Sequence, residues 1–318
     1  MDDNNQAKEV MVSVICLTYN HESYIRQCLD GFVMQKTDFA FEAIVHDDAS
    51  TDHTAEIIRE YEEKYPNIIK PIYQDENQFS KNSPFLETYV LPKLKGKYIA
   101  LCEGDDYWTD PLKLQKQVDY MEEHEDCVMC VNATDWERDG KIYHWGGQQY
   151  HSDDCDLTTE DVISQWTYNT ASFIFRRELL DLREQCDWWK HADVVDFPLC
   201  IAGSLFGHLH YFSDVMNVYR NAHLGSWTVT IGHRNKEHEL AEIRWMSELN
   251  DYTHDRYKTT IYTHLFKEHI RPLYRDGIIS SKEYIRAYRA SKRTISFRRF
   301  LKDIIRYYLK LVSVKLNN

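Results

Sequence analysis

Apolar positions in the first 125 residues switch between two periods. Residues 10–18 (Val-Met-Val-Ser-Val-Ile-Cys-Leu-Thr) form a nearly continuous apolar run rich in β-branched side chains, as in a strand buried on both faces. A helix is predicted over 22–34 and a strand over 39–46. A helix with apolar Ala55, Ile57, Ile58 and Tyr61 follows over 54–64, then a strand over 68–73, a helix over 83–94 and a strand over 98–102. Asp110-Pro111 reads as an N-cap followed by a first-turn proline, opening a helix to about 123. This alternation predicts an α/β fold with a mainly parallel sheet covered on both faces.

The second half is mixed. A strand is predicted over 127–134, then a polar excursion over 135–149 with a hairpin-like Asp139-Gly140. A capping signal at Thr158-Thr159-Glu160-Asp161 opens a short helix, and short strands cover 172–175 and 208–212. From about Asn235 the pattern is helical to the end. The divisions expected are 1–107 and 108–230 as the two halves of one α/β domain, and 231–318 as a helical C-terminal extension.

Composition narrows the class. The 318 residues are 43% hydrophobic and 28% charged with 11 Gly and 7 Pro, which excludes collagen-like and disordered chains. The net charge of −13 argues against nucleic acid as a partner. The charge is uneven: residues 291–318 hold eight Lys and Arg against Asp303 alone. Within 295–318, Phe297, Phe300, Leu301, Ile304, Ile305, Tyr308, Leu309 and Val312 recur at helical spacing with cations between them. Such a helix either lies on an anionic membrane surface or packs its apolar face on the preceding helices. No leader or membrane span is read from the chain, so the expected location is cytoplasmic, peripheral at the inner face of the cell membrane if the tail docks there. Eight cysteines then read as buried thiols, including the Cys127/Cys130 pair.

Parallel sheets place ligands at the carboxyl ends of their strands. The loops there carry Thr18-Tyr19-Asn20, then Asp47-Asp48-Ala49-Ser50-Thr51-Asp52, then Glu103-Gly104-Asp105-Asp106-Tyr107-Trp108. Unit charges 4 Å apart repel by about 4 kcal/mol at an effective dielectric of 20. A hard divalent cation, Mg2+ or Mn2+, relieves that repulsion. Asp48, Ser50 and Asp52 also suit capping of the following helix, Asp52 most of all. His208 and His210, two apart on one face of a predicted strand, read as structural. Trp188 and Trp189 suit either a sugar platform or core packing.

The ordered set Val12–Asn20 with Tyr24-Ile25, then Asp47–Asp52, then Gly96–Trp108, resembles family 2 glycosyltransferases of the GT-A fold, of the bacterial polysaccharide-biosynthesis type. The resemblance covers residues 10 to about 230 and implies a Rossmann-like sheet. It implies that Tyr19, flanked by Thr18 and Asn20, stacks on the donor base, and that Asp48 accepts the N3–H of a uracil. Thymine offers the same group. The family's D-x-D stands here as Glu103-Gly104-Asp105, followed by Asp106. Asp105 takes the metal role, Glu103 a ribose hydroxyl, and Lys81 a basic donor contact. Asp193-Val194-Val195-Asp196 resembles the acid pair of the acceptor side, with Asp196 in register for the general base and Asp193 second. His223, in the Tyr219-Arg220…His223…Ser226 element, takes the part of a third metal ligand or a diphosphate contact.

The activity implied is metal-dependent, inverting transfer of a sugar from a nucleotide-sugar donor, a UDP-sugar first, to a hydroxyl of a glycan or lipid-linked acceptor. The rival is a sugar nucleotidyltransferase on a similar sheet. That rival expects a glycine-rich loop after the first strand, where this chain has Thr18-Tyr19-Asn20-His21.

Overall fold

The structure, a computed structural model, describes residues 9–81, 83–144, 151–165, 168–192, 194–221, 236–276 and 278–290. The strands are β1 (Val10–Thr18), β2 (Ala40–Asp47), β3 (Ile69–Tyr73), β4 (Tyr98–Leu101), β5 (Tyr107–Trp108), β6 (Cys127–Arg138), β7 (Lys141–Tyr143), β8 (Cys155–Leu157), β9 (Ile174–Arg176) and β10 (His208–Arg220). The helices are α1 (Ile25–Val33), α2 (Thr54–Lys64), α3 (Lys113–Glu123), α4 (Thr159–Ser164), α5 (Glu178–Arg183), α6 (Asp187–Lys190), α7 (Asp196–Phe206), α8 (Lys236–Tyr252), α9 (Lys258–His264), α10 (Arg271–Arg275) and α11 (Ser281–Ala290). The chain divides into two compact units. The first is Met1–Leu157, Thr167–Asp181 and Ala202–Thr230; the second is Thr158–Trp166, Leu182–Ile201 and Ile231–Asn318.

The first unit is built on one sheet of order β3-β2-β1-β4-β9-β6-β10-β5, with β7 on β6 and β8 on β10. β3, β2, β1 and β4 are mutually parallel, as expected. β9 then runs antiparallel to both β4 and β6. The reversal brings the residues just before β9 to the carboxyl end of β4. β6 and β10 are parallel, and both run on past the predicted ends. The Asp139-Gly140 turn joins β6 to β7, with φ of 51° and 71°, the left-handed pair that a two-residue hairpin turn requires.

The core of this unit holds Val12, Val14 and Cys16 of β1 against Ile25, Leu29 and Phe32 of α1, with Ala43, Tyr98, Trp108, Leu114 and Val118. One polar knot lies inside it. Buried Ser13 donates to Glu42 Oε1 at 2.9 Å and accepts from the Gly96 amide at 2.8 Å. A Cβ at position 96 would stand 2.4 Å from the Ser13 nitrogen, so only glycine lets β4 start here.

Two predicted helix boundaries change. Residues 83–94 form a π turn (Leu86–Val90) and a 3-10 turn (Leu91–Lys93) rather than one α-helix; Pro92 has no N–H to give the ladder. α3 starts three residues after Asp110, whose Oδ1 accepts from the Leu112 amide at 2.8 Å.

In the second unit, Thr158 and Asp161 form the predicted capping box of α4. Trp188 stacks on Trp189 at 5.9 Å and leans on Trp245 at 6.2 Å. All three are buried, so the Trp188-Trp189 pair packs a core and is no sugar platform. Phe266, Tyr274, Tyr284 and Tyr288 close a second apolar cluster there. Among the described residues no helix is long and apolar enough to cross a membrane. The basic segment 295–318, Asp193 and His223 lie outside the described residues.

Candidate active site

Three loops, two of them acidic, meet at the carboxyl ends of β1, β2 and β4, with Thr18 between them. The Asp48 amide donates to the Thr18 carbonyl at 3.0 Å, and the Gly104 amide to the Leu17 carbonyl at 2.9 Å. A Cβ at Gly104 would stand 2.7 Å from Thr18 Cβ, so glycine in Glu103-Gly104-Asp105 is what lets the third loop close on the first. Thr18 Oγ1 is buried and has no hydrogen-bond partner.

The first two loops are clasped. Ser50 Oγ accepts from the Asn20 amide at 2.9 Å and donates to Asp47 Oδ1 at 2.5 Å; Asn20 Oδ1 accepts from the Thr51 amide at 2.8 Å. Asn20 and Ala49 both hold positive φ, 55° and 60°. Such strain persists only where surrounding contacts over-determine it. Asp52 does what its position predicted: Oδ1 accepts from the Thr54 amide at 2.9 Å and from Thr54 Oγ1 at 2.6 Å. Tyr19 is left 45% exposed beside this clasp.

Asp48 is buried and reaches across to the third strand's loop. Its two oxygens accept from the Gln78 amide at 2.7 Å and the Phe79 amide at 3.0 Å. Each oxygen keeps a second lone pair. Lys81, at the end of the same turn, is exposed and pairs with Glu76.

On the loop after β4 the three acids face different partners. Glu103 Oε2 accepts from Thr170 Oγ1 at 2.5 Å. Asp105 is half-buried, and its carbonyl accepts from Arg220 Nη1 at 2.5 Å. Asp106 turns inward: Oδ1 accepts from the Arg220 amide at 2.9 Å and Oδ2 from Asn169 Nδ2 at 3.3 Å. Burial, then the Asp105 and Glu103 charges, push the Asp106 carboxyl well above the usual range. That mutual repulsion, the carboxylate oxygens of this loop and the unpartnered Thr18 hydroxyl beside it fit a hard divalent cation at Asp105.

Arg220 closes the site from β10. Its Nε lies 3.2 Å from Glu137 Oε2, and it also donates to Gln27 and stacks over Tyr107 and Tyr24. Asn169 and Thr170 escaped the sequence reading. Their signal is the small polar run Asn169-Thr170-Ala171-Ser172 before a strand, but only the antiparallel direction of β9 brings it beside Glu103.

Asp196 belongs to the second unit and opens α7. Its Oδ1 accepts from the Phe197 amide at 2.8 Å, and burial raises its carboxyl above the ordinary value.

Comparison with known proteins gives this arrangement a family. The chain belongs to glycosyl transferase family 2, which it matches over residues 13–182. An uncharacterised protein of Mycobacterium tuberculosis is 34% identical over 229 residues, 71% of this chain and 63% of that relative, so the match spans under two thirds of the relative's length. A putative teichuronic acid biosynthesis glycosyltransferase of Bacillus subtilis is 34% identical over 113 residues, 36% of this chain and 42% of that protein. Among solved structures, S. aureus TarS 1–349 in complex with UDP-GlcNAc aligns with a TM-score of 0.63 at 16% identity, over 91% of this chain and 82% of that one. A mannosyltransferase of Pyrobaculum calidifontis in complex with GDP-Man and Mn2+ aligns with a TM-score of 0.54 at 16% identity, over 96% of this chain and 76% of that one. At such identities the likeness establishes the fold, which is GT-A.

Proposed function

We propose that this chain transfers a sugar from a nucleotide-sugar donor to a hydroxyl of a glycan or lipid-linked acceptor, in cell-surface polysaccharide synthesis. The observation that carries the reading is the convergence of the loops of Tyr19, Asp48 and Glu103-Gly104-Asp105 on Thr18. In the donor pose, exposed Tyr19 stacks on the base and Asp48 accepts an imide N3–H, so uridine is the first choice. Glu103 takes a ribose hydroxyl, and Lys81 swings from Glu76 to the diphosphate. Asp105 holds Mn2+ or Mg2+, with His223 as a further ligand or diphosphate contact. The cation supplies neutralisation of the charge that develops on the departing diphosphate.

Asp196 serves as the general base that takes the acceptor hydroxyl's proton, with Asp193 as the second choice. A desolvated carboxyl is a stronger base than a solvated one, which suits the role. One displacement inverts the anomeric centre with no covalent nucleophile. The basic segment 295–318 docks on an anionic leaflet, bringing the enzyme to a lipid-linked acceptor; co-sedimentation with anionic vesicles at low salt, lost on deleting 295–318, tests this.

The deciding assay adds UDP-sugars and acceptor with Mn2+ and follows the products. Release of a nucleoside diphosphate supports the transferase. Release or uptake of pyrophosphate would establish the nucleotidyltransferase instead.

A further inference from the structure

A second group of ligand-type side chains lies at the opposite end of β10 from Arg220. Asp156 on β8 stands directly across the strand pair from His210, and His208 lies two positions along on the same face. His210 Nδ1 is 2.8 Å from Asp156 Oδ1, and His208 Nε2 is 2.5 Å from the same oxygen. All three ligand atoms lie within 4.8 Å of one another. From His208 to Arg220, at about 3.3 Å per residue, is roughly 35–40 Å of strand. The cluster is therefore separate from the acidic loops.

We infer that Asp156, His208 and His210 form a divalent-metal site of the zinc type, which staples β8 to the start of β10. Two imidazoles and one carboxylate favour Zn2+, Co2+ or Ni2+ over the hard cations suited to Asp105. Two ring nitrogens crowd a single carboxylate oxygen: His210 Nδ1 hydrogen-bonds to it, while buried His208 Nε2 meets it as an ion pair outside good hydrogen-bond angles. His210 is 7% exposed. An ion about 2.0–2.2 Å from each ligand atom would take up both nitrogens at once. The rings are also held from behind. Tyr120 stacks on His210 at 3.7 Å with an interplanar angle of 21°, and on its other side stacks on His124 at 4.0 Å. Asp126 Oδ2 lies 3.9 Å from His208 Nδ1, longer than a hydrogen bond but on the ring's second nitrogen, the side from which an outer carboxylate would have to close in to orient a metal-bound imidazole. The Asp156 side chain is 61% exposed, which leaves water access to a fourth position.

The test is metal analysis of the full, untagged chain. It is loaded with Zn2+ or Co2+, dialysed, and compared with Asp156→Asn, His210→Gln, Asp126→Asn and Asp105→Asn. Because Asp156 is exposed, D156N folds even if H210Q does not, and circular dichroism checks both. The expected result is one Zn2+ per chain in wild type and in D105N, none in D156N, and about tenfold weaker binding in D126N. Co2+ should give ligand-field absorption in wild type that D156N lacks. Wild type without stoichiometric zinc, equal zinc in D156N, or zinc lost in D105N and kept in D156N would each overturn the site.

Discussion

Arg220 Nη1 donates to the carbonyl of Asp105 across 115 residues of sequence, at 2.5 Å, while the Arg220 amide donates to Asp106 Oδ1 at 2.9 Å. One residue thus grips two consecutive members of the acidic loop, through its side chain and its backbone. The guanidinium is buried, and the pairing with Glu137 balances its charge. The loop that presents Asp105 is therefore held from the far end of β10, in addition to its Gly104 bond to β1 and its Glu103 bond to Thr170.

Arg220→Lys keeps the charge and loses the planar fork that reaches Asp105, Gln27 and Glu137 together. Partners left unpaired in a buried site cost about 1–3 kcal/mol. Thermal unfolding should shift down accordingly, and titration with a UDP-sugar should show weakened binding. Unchanged donor affinity would mean that Arg220 supports the sheet without shaping the loop.

Asp105→Asn removes a charge from a half-buried loop and no apolar contact. The unfolding midpoint should hold or rise, because the repulsion on Asp106 eases. Metal-dependent donor binding, read by calorimetry with and without Mn2+, should disappear. Turnover near the wild-type rate would remove Asp105 from the metal role.

The half of the fold built from local periodicity was legible in the sequence. The 10–18 and 54–64 elements stand where the β-branched run and the helical spacing of Ile57, Ile58 and Tyr61 put them. Long-range pairing was not legible. Nothing in Ile174–Arg176 announces that it runs against its neighbours, so Asn169 and Thr170 could not be brought to Glu103 by inspection. Side-chain direction was equally hidden: Asp105 and Asp106 are adjacent and both acidic, yet Asp106 faces inward to Asn169 and the Arg220 amide. Of the two readings the sequence left open for Trp188 and Trp189, core packing holds, and only the tertiary fact of burial against Trp245 decides it.

Lys113 should give stability a pH signature. It is fully buried, donates to Gln117 Oε1 at 2.7 Å and to the Ser172 carbonyl at 3.2 Å, and burial lowers its pKa to about 7 from 10.5. Between those values the unfolded chain binds a proton that the folded chain does not. The Lys113 contribution to stability therefore rises with pH above about 7 and is flat below it. The slope is at most about 1.4 kcal/mol per pH unit. Lys113→Met removes this term, so denaturant unfolding of wild type minus variant should grow in favour of wild type from about pH 7 to 9. A difference that does not change with pH would show Lys113 to be charged in the folded protein throughout.

Asp196→Asn separates binding from transfer. The substitution preserves shape and an acceptor oxygen for the Phe197 amide, so α7 should open as before. Only the proton-accepting carboxylate is lost. Donor affinity should stay within about twofold of wild type, while transfer falls by roughly 10²–10⁴-fold, the usual worth of a general base. The wild-type pH profile gives an independent reading. The base works only when ionised, and burial raises the Asp196 carboxyl, so the acidic limb of kcat should lie above the ordinary carboxylate range. In the variant that limb should vanish along with most of the rate. If Asp196→Asn instead abolishes UDP binding, the residue belongs to the donor side and Asp193 becomes the base to test. If the rate falls but the acidic limb persists unchanged, the titrating base is another carboxylate.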